Sequence, residues 1–349
     1  MIIFVQKYRL MKNALFIGGT GRISSAITAA LSAMPEWKLF LLNRGNRADA
    51  VPDGVTLIKA DIFDEADVVA KLDGMQFDCV CDFIGFVPEH VERDWRIFKG
   101  KTRQYIYISS ASAYHKPCTD YRIMEGTALA NPYWQYSRDK IECEKFLMEK
   151  YRTEGFPVTI VRPTHTYDER TVPLGVHGNG GSWQVVKRMM EGKPVIIQGD
   201  GTSLWTMTHN SDFAKAFIGL MANVHAIGEA FHITSDETVT WNQVYQSIAR
   251  VLGVELKACH VSSYFLAAAG KKFDLEGALL GDKANSVVFD LTKLKRAVPD
   301  YRPTMRFDEG VRLTIEYLLA HPELQKEDPE FDKWCDDVIA AQEEALARF

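Results

Sequence analysis

Tyr136 and Lys140 stand four residues apart in the stretch NPYWQYSRDKIECEKFL, residues 131–147. On a helix that spacing places both on one face, about one turn from each other. An ammonium beside a phenol favours the phenolate and lowers the phenol's pKa. A tyrosine tuned in this way can exchange a proton with a substrate alcohol near neutral pH. Tyrosine and lysine at helical spacing are common in helices of every kind. The pair therefore gains meaning only if the chain also supplies a nucleotide site and a hydroxyl that positions an alcohol.

A nucleotide site is indicated near the start. An apolar run at 13–17 enters Gly18-Gly19-Thr20-Gly21-Arg22-Ile23-Ser24, and a helical period follows through Ile27, Ala30, Leu31 and Met34. Strand, glycine turn and helix make the first half of a dinucleotide-binding unit, with the pyrophosphate at the helix N-terminus. Ser24 occupies the third small-residue position of that turn, where Gly or Ala is usual. The second strand, 37–42, ends in Asn43-Arg44-Gly45-Asn46-Arg47. It carries no acid there to hold a ribose 2′-hydroxyl, and Arg44 and Arg47 suit a 2′-phosphate. This pattern favours NADP, with NAD also compatible.

The elements that must position these groups alternate regularly. Strand-like runs at 55–59, 77–83, 105–108 and 158–161 are separated by helical segments, with Asp64 as an N-cap and Pro88 at a helix start. Such alternation predicts an α/β fold with a parallel, doubly wound sheet. Ligands of these sheets bind at the carboxyl ends of strands. The Gly18–Gly21 turn, Phe83, Ser110 and the segment after residue 161 all fall at such ends, and the Tyr136 helix follows one of them. Beyond Arg162 the elements become shorter: a glycine-rich loop at 175–181, a strand at 195–197, another at 204–209, a helix capped by Asn210 or Ser211, and a capping box at Thr240–Gln243.

The chain has 349 residues, a formal net charge of −5, 46% hydrophobic and 25% charged residues. No long basic run supports nucleic-acid binding through phosphate neutralisation, and no apolar run reaches the length of a membrane span. The opening MIIFVQKYRL is too short and wrongly ordered for a signal peptide. Six cysteines are scattered, and only Cys79 and Cys81 are close. They share one face of a strand, without a second ligand pair at zinc spacing, so a structural role is expected and no metal site. A reduced, cytoplasmic protein follows.

In order and spacing, GGTGRIS (18–24), KADIFD (59–64), YISSASAY (107–114), YSRDK (136–140), VRPTHTY (161–167), GDGTSLWTMTHNSDFA (199–214) and YRPTMRFDEGVRLTIEYL (301–318) resemble the extended short-chain dehydrogenase/reductase family, especially its sugar-nucleotide epimerase and dehydratase branch. The resemblance covers residues 11 to about 321. It implies a Rossmann-type domain over 11–170, with returning segments near 204–235 and 285–290, and a smaller interleaved substrate lobe over 171–203 and 236–321. The amphipathic helix pattern of 322–349 is expected on the outside, and residues 1–10 as an extension or an added edge strand.

The resemblance also implies roles. Tyr136 is similar to the catalytic acid/base, Lys140 to its pKa-lowering partner on the nicotinamide ribose, and Ser110 to the hydroxyl that polarises the substrate. Asp61 and Ile62 resemble the pair flanking adenine, and Pro163 a backbone contact near the nicotinamide. Family dehydratases place Asp-Glu after the catalytic hydroxyl residue; here Ala111-Ser112 follow Ser110, which disfavours elimination. The arginine that meets a nucleotide diphosphate in many members is replaced by the run Leu204–His209, leaving Arg302 or Arg306 for that task, or a substrate without a diphosphate. Ser112, His165, His177, Trp205 and His209 are the candidate substrate contacts. The expected enzyme is an NAD(P)-dependent epimerase, reductase or dehydrogenase acting on a sugar or sugar nucleotide, as a homodimer that pairs helices near 88–99 and 133–151. The competing reading is a redox-sensing or RNA-associated protein on the same scaffold.

Overall fold

The computed structural model describes residues 11–47 and 50–349; the question of an N-terminal extension or edge strand lies outside them. The first five large-sheet strands are β1 (Lys12–Ile17), β2 (Trp37–Asn43), β3 (Thr56–Lys59), β4 (Cys79–Asp82) and β5 (Tyr105–Ile108). Between them run α1 (Ser24–Ser32), α2 (Glu65–Lys71) and α3 (Pro88–Phe98). As read from sequence, Asp64 caps α2 by accepting from Asp67 N at 3.1 Å, and Pro88 opens α3. A short strand β6 (Arg122–Ile123) precedes α4 (Gln135–Glu154), which leads to β7 (Val158–Pro163).

The chain then leaves the sheet through β8 (His165–Tyr167), α5 (Trp183–Met190), β9 (Val195–Gln198), β10 (Leu204–Trp205) and β11 (Met207–His209). It returns with α6 (Asn210–Leu220) and β12 (Ala230–Ile233). The remainder is β13 (Val239–Thr240), α7 (Trp241–Leu252), β14 (Ala258–Val261), α8 (Ser263–Ala269), a π-helical segment Glu276–Lys283, β15 (Val288–Phe289), α9 (Thr292–Ala297), α10 (Phe307–Ala320) and α11 (Pro329–Leu346). The capping box on α7 is formed in both directions between Thr240 and Gln243.

The large sheet has seven parallel strands in the order β12-β7-β5-β4-β1-β2-β3. Because β1 takes β2 on one edge and β4 on the other, the order reverses between β1 and β4, the switch point where such sheets bind ligands. Strands covered on both faces read as continuous apolar runs, and Ala14 to Ile17 are all fully buried. Phe16, Ile27, Phe213 and Phe217 build the core under α1 and α6. Leu15, Ile17, Val91 and Leu147 build the opposite one under α3 and α4.

A third core joins α5, α7, α10 and α11 around Trp183, Trp241, Val311 and Phe331. One face of α11 is part of that core. Arg188 ties it down from α5, its buried guanidinium donating to Asp332 Oδ1 and Asp336 Oδ1, each at 2.7 Å.

Three sequence expectations change in detail. The strand expected over 204–209 is two: β10 pairs antiparallel with β13, and β11 pairs parallel with β8. The cap of α6 is His209, not Asn210 or Ser211, since its Nδ1 accepts from Ser211 N at 3.3 Å. The segment near 285–290 does not enter the large sheet; Val288 and Phe289 pair with β6.

Candidate active site

The glycine turn after β1 is closed by a side chain. Ser24 Oγ accepts from Gly21 N and donates to Gly18 O, both at 2.8 Å. The serine that departs from the usual Gly or Ala is therefore the staple of the turn. Gly18 has φ +84°, and a Cβ there would fall 2.5 Å from Ile84 Cγ2. Only glycine permits that conformation and that approach of backbone to the wall of the cleft.

From this turn a cavity of about 560 Å³ runs along the carboxyl ends of β1, β4, β5 and β7. It reaches Ser110, Tyr136 and Lys140. His165, Trp205, Asp282 and Lys283 complete its lining. A dinucleotide held here would set its pyrophosphate at the Gly18–Gly21 turn and the start of α1.

Lys140 is 2% exposed, and its ammonium donates to Gly85 O and Ile108 O, each at 2.6 Å. An ammonium has three donors, which leaves one for a ribose hydroxyl. Burial lowers its pKa to about 8, opposed by the charge of Asp82. Its Nζ lies 5.7 Å from the centre of the Tyr136 ring.

Lys140 does not by itself lower the Tyr136 phenol in this structure. Burial pushes the phenol up to about 12, opposed by a hydrogen bond with Ser110 and reinforced by the charge of Asp282. The lysine's hydrogen bonds go to two backbone carbonyls, so desolvation of the phenolate prevails.

Behind Ser110 stands a chain of hydroxyls. Ser110 Oγ and Ser112 Oγ are 2.9 Å apart, and Ser137 Oγ donates to Ser112 Oγ at 2.7 Å. Ser112, expected as a substrate contact, is 2% exposed and spends its hydroxyl in this chain. Asn131 Nδ2 holds the Ser112 carbonyl at 2.8 Å. Deeper, Arg162 grips Glu144 through Nε at 2.9 Å and Nη2 at 2.6 Å, and Ser109 Oγ donates to Glu144 Oε1 at 2.5 Å. Burial opposes the Arg162 charge, but the Glu144 hydrogen bonds outweigh it and raise the guanidinium's pKa. This pair fixes α4 to β7 beneath the site.

The other sequence candidates divide. Gly18, Gly21, Arg22, Ile23, Phe83, Ser112, Pro163, His165 and Trp205 line the cavity with the three catalytic candidates. Thr20, Asn43, Arg44 and Asp61 lie outside it, along the ends of β1 to β3 where an adenosine would extend. Thr20 O accepts from Arg47 Nη1 at 3.2 Å, and Ile62 is buried in the core.

His177 and His209 are not in the cavity. His177 Nδ1 sits 2.9 Å from Gly178 O, and His209 serves as the α6 cap. Burial lowers the pKa of both, opposed for His177 by the Gly178 carbonyl and for His209 by the charge of Glu169. Arg302 donates to Pro299 O and Tyr301 O, and Arg306 pairs with Glu237 and Asp308. Neither lines the cavity, so neither replaces the missing diphosphate arginine there. Cys79 and Cys81 are buried with Sγ atoms 3.5 Å apart, and no metal-binding cluster occurs among the described residues.

Sequence reasoning misses Ser137, Trp134, Asp282 and Lys283. Ser137 is adjacent to Tyr136, a position that could have signalled it. Asp282 and Lys283 lie far along the chain in a segment without a motif.

Residues 14–234 match the NAD dependent epimerase/dehydratase family, and the chain belongs to it. It is an enzyme of that NAD-dependent family, which supports a nicotinamide cofactor. The 2′-dehydrokanamycin reductase of Streptomyces kanamyceticus is 26% identical over 292 residues, 83% of this chain and 80% of that protein. The chloroplast stem-loop binding protein of 41 kDa b from Arabidopsis thaliana is 29% identical over 196 residues, 56% of this chain but only 48% of its own length. Among solved structures, UDP-glucuronic acid 4-epimerase from Bacillus cereus in complex with NAD has a TM-score of 0.70 at 18% identity, covering 90% of this chain and 100% of that one. An epimerase from Methanothermobacter thermautotrophicus has a TM-score of 0.72 at 16% identity, covering 91% and 95%. No helix among the described residues is long and apolar enough to cross a membrane.

Proposed function

We propose that the protein oxidises or reduces a carbinol carbon of a sugar or sugar-like alcohol, with Tyr136 as acid/base. The observation that carries this reading is the meeting of Ser110, Tyr136 and Lys140 at the end of a cavity that begins at the Gly18–Gly21 turn. When bound, the nicotinamide supplies hydride acceptance or donation and, oxidised, a positive charge beside the phenol.

Tyr136 then passes the proton of the substrate hydroxyl, entering or leaving through its Oη. Ser110 Oγ holds the substrate oxygen, oriented by Ser112 and Ser137. Lys140 anchors the ribose and keeps a cation near the phenolate as it forms. The similarity to a reductase along 80% of its length favours the reductive direction.

NADP is the proposed cofactor, because β2 ends at Asn43 and is followed by Arg44 rather than by an acid. The proposed assembly is a cytoplasmic homodimer through α3 and α4, tested by sedimentation at micromolar concentration. The activity test is turnover of Tyr136→Phe with NADPH and keto-sugars. Wild-type activity in that variant, or salt-sensitive RNA binding without cofactor binding, would overturn the reading.

A further inference from the structure

We infer that Asp282 and Lys283 are the substrate grip of this site, a paired carboxylate and ammonium that takes two adjacent hydroxyls of a neutral sugar ring. This rests on the redox reading above and adds what that reading lacks, the class of molecule presented to Tyr136.

Both side chains are buried, at 8% and 9% exposure, and both line the cavity. Lys283 Nζ reaches Asp282 Oδ2 at 3.3 Å. Asp282 Oδ1 has no hydrogen-bond partner among the described residues. In the same cavity Trp205 Nε1 and His165 Nδ1 are also buried without partners. A buried polar atom left unpaired costs stability, and these three atoms, with the Lys283 ammonium, make a set of contacts in one cavity that a polar ligand would complete. Burial, with the nearby Lys283 and Arg22 charges, keeps His165 neutral, so it faces a ligand as a hydrogen-bonding ring rather than as a cation.

The fold fixes this grip firmly. Residues 276–283 wind with five-residue hydrogen bonds, as in Ala284 N to Leu279 O at 2.8 Å. Such wide turns occur mostly at functional sites. The segment is clamped to the residues leading into α4: Asn131 Nδ2 donates to Gly281 O and Trp134 Nε1 to Asp274 Oδ2, each at 2.7 Å. Gly277 packs flat on the Trp134 indole, where a Cβ would fall 2.1 Å from Cδ1. Trp241 Nε1 holds Lys283 O at 3.0 Å from the other side. The grip and Tyr136 are thus set by one rigid contact.

Charge decides the ligand class. A lone carboxylate would select an ammonium, and a lone ammonium a phosphate. Side by side they cancel, and two neighbouring hydroxyls serve both, one donating to Asp282 and the other accepting from Lys283. Trp134, half-buried in the cavity lining, supplies an apolar wall that a sugar ring covers.

The test titrates NADP-loaded enzyme by tryptophan fluorescence with methyl glucoside, methyl galactoside and methyl mannoside, and in parallel with methyl glucosaminide and with UDP-glucose. At least one neutral glycoside is expected to bind more tightly than the charged probes. Asp282→Asn and Lys283→Met should each weaken it about tenfold, with NADPH affinity within about twofold of wild type. Absence of neutral-glycoside binding, tighter binding of either charged probe, or equal binding by the folded variants overturns the proposal. Should one variant not fold, the other reads the same outcome. Loss of NADPH binding or of Tyr136 dependence in the wild type would count against the redox reading instead.

Discussion

On the side of Tyr136 and Lys140, the polar groups are already held: Lys140 by two carbonyls, and Ser110, Ser112 and Ser137 by one another. In the same cavity, Asp282 Oδ1, Trp205 Nε1 and His165 Nδ1 have no partner among the described residues. The difference separates two tasks. Proton transfer needs groups preorganised before the substrate arrives, because reorganisation during reaction raises the barrier. Recognition needs groups whose hydrogen bonds the substrate itself completes.

Perturbing each side should give distinct signatures. The largest effect is expected from Tyr136→Phe, which removes the only proposed proton carrier. Turnover should fall roughly 10²–10⁴-fold with NADPH affinity nearly intact, measured by single-turnover absorbance and fluorescence titration. Next is Arg162→Met, which leaves the Glu144 carboxylate buried without its cation, with only the Ser109 hydroxyl on it. Urea denaturation should show about 3–5 kcal/mol of lost stability, and a loss below about 1 kcal/mol would show that the network beneath the site is not structural.

Asp282→Asn should then raise KM about tenfold while kcat stays within about threefold. An equal fall in kcat and kcat/KM would place Asp282 in the chemistry, against the division of tasks. A smaller, graded effect concerns pH. Burial lowers Lys140 to about 8, so its ammonium prevails below that value and is lost as pH rises through it. NADPH affinity should weaken over that rise, and Lys140→Arg, which keeps its charge, should flatten the dependence. Smallest is Ser137→Ala, expected to cut kcat a few-fold by loosening Ser112 and Ser110.

The cofactor side is well marked in the sequence. Apolar strands alternating with helices, a glycine turn and the Tyr136–Lys140 spacing are local patterns, so Gly18, Ser110, Tyr136 and Lys140 are legible in the chain itself. The recognition wall is illegible for the opposite reason. Asp282 is brought to Tyr136 by a clamp whose partners, Asn131 and Gly281, are 150 residues apart. His209 illustrates the same limit: a histidine in a cleft-lining stretch can equally be a helix cap, and only the Ser211 amide decides. The pKa of Tyr136 escapes sequence reasoning because spacing reveals a neighbouring charge but not the burial that outweighs it.

The placement of β12 has a consequence for synthesis. The edge strand that covers β7 ends at residue 233 of 349, after the chain has already built β8 to β11 away from the sheet. During translation β7 therefore waits with its outer edge unpaired while that excursion is made, and open strand edges are templates for association with other chains. Ribosome-bound fragments ending before residue 230 should need chaperone protection that fragments long enough to carry residues 230–233 clear of the ribosome do not.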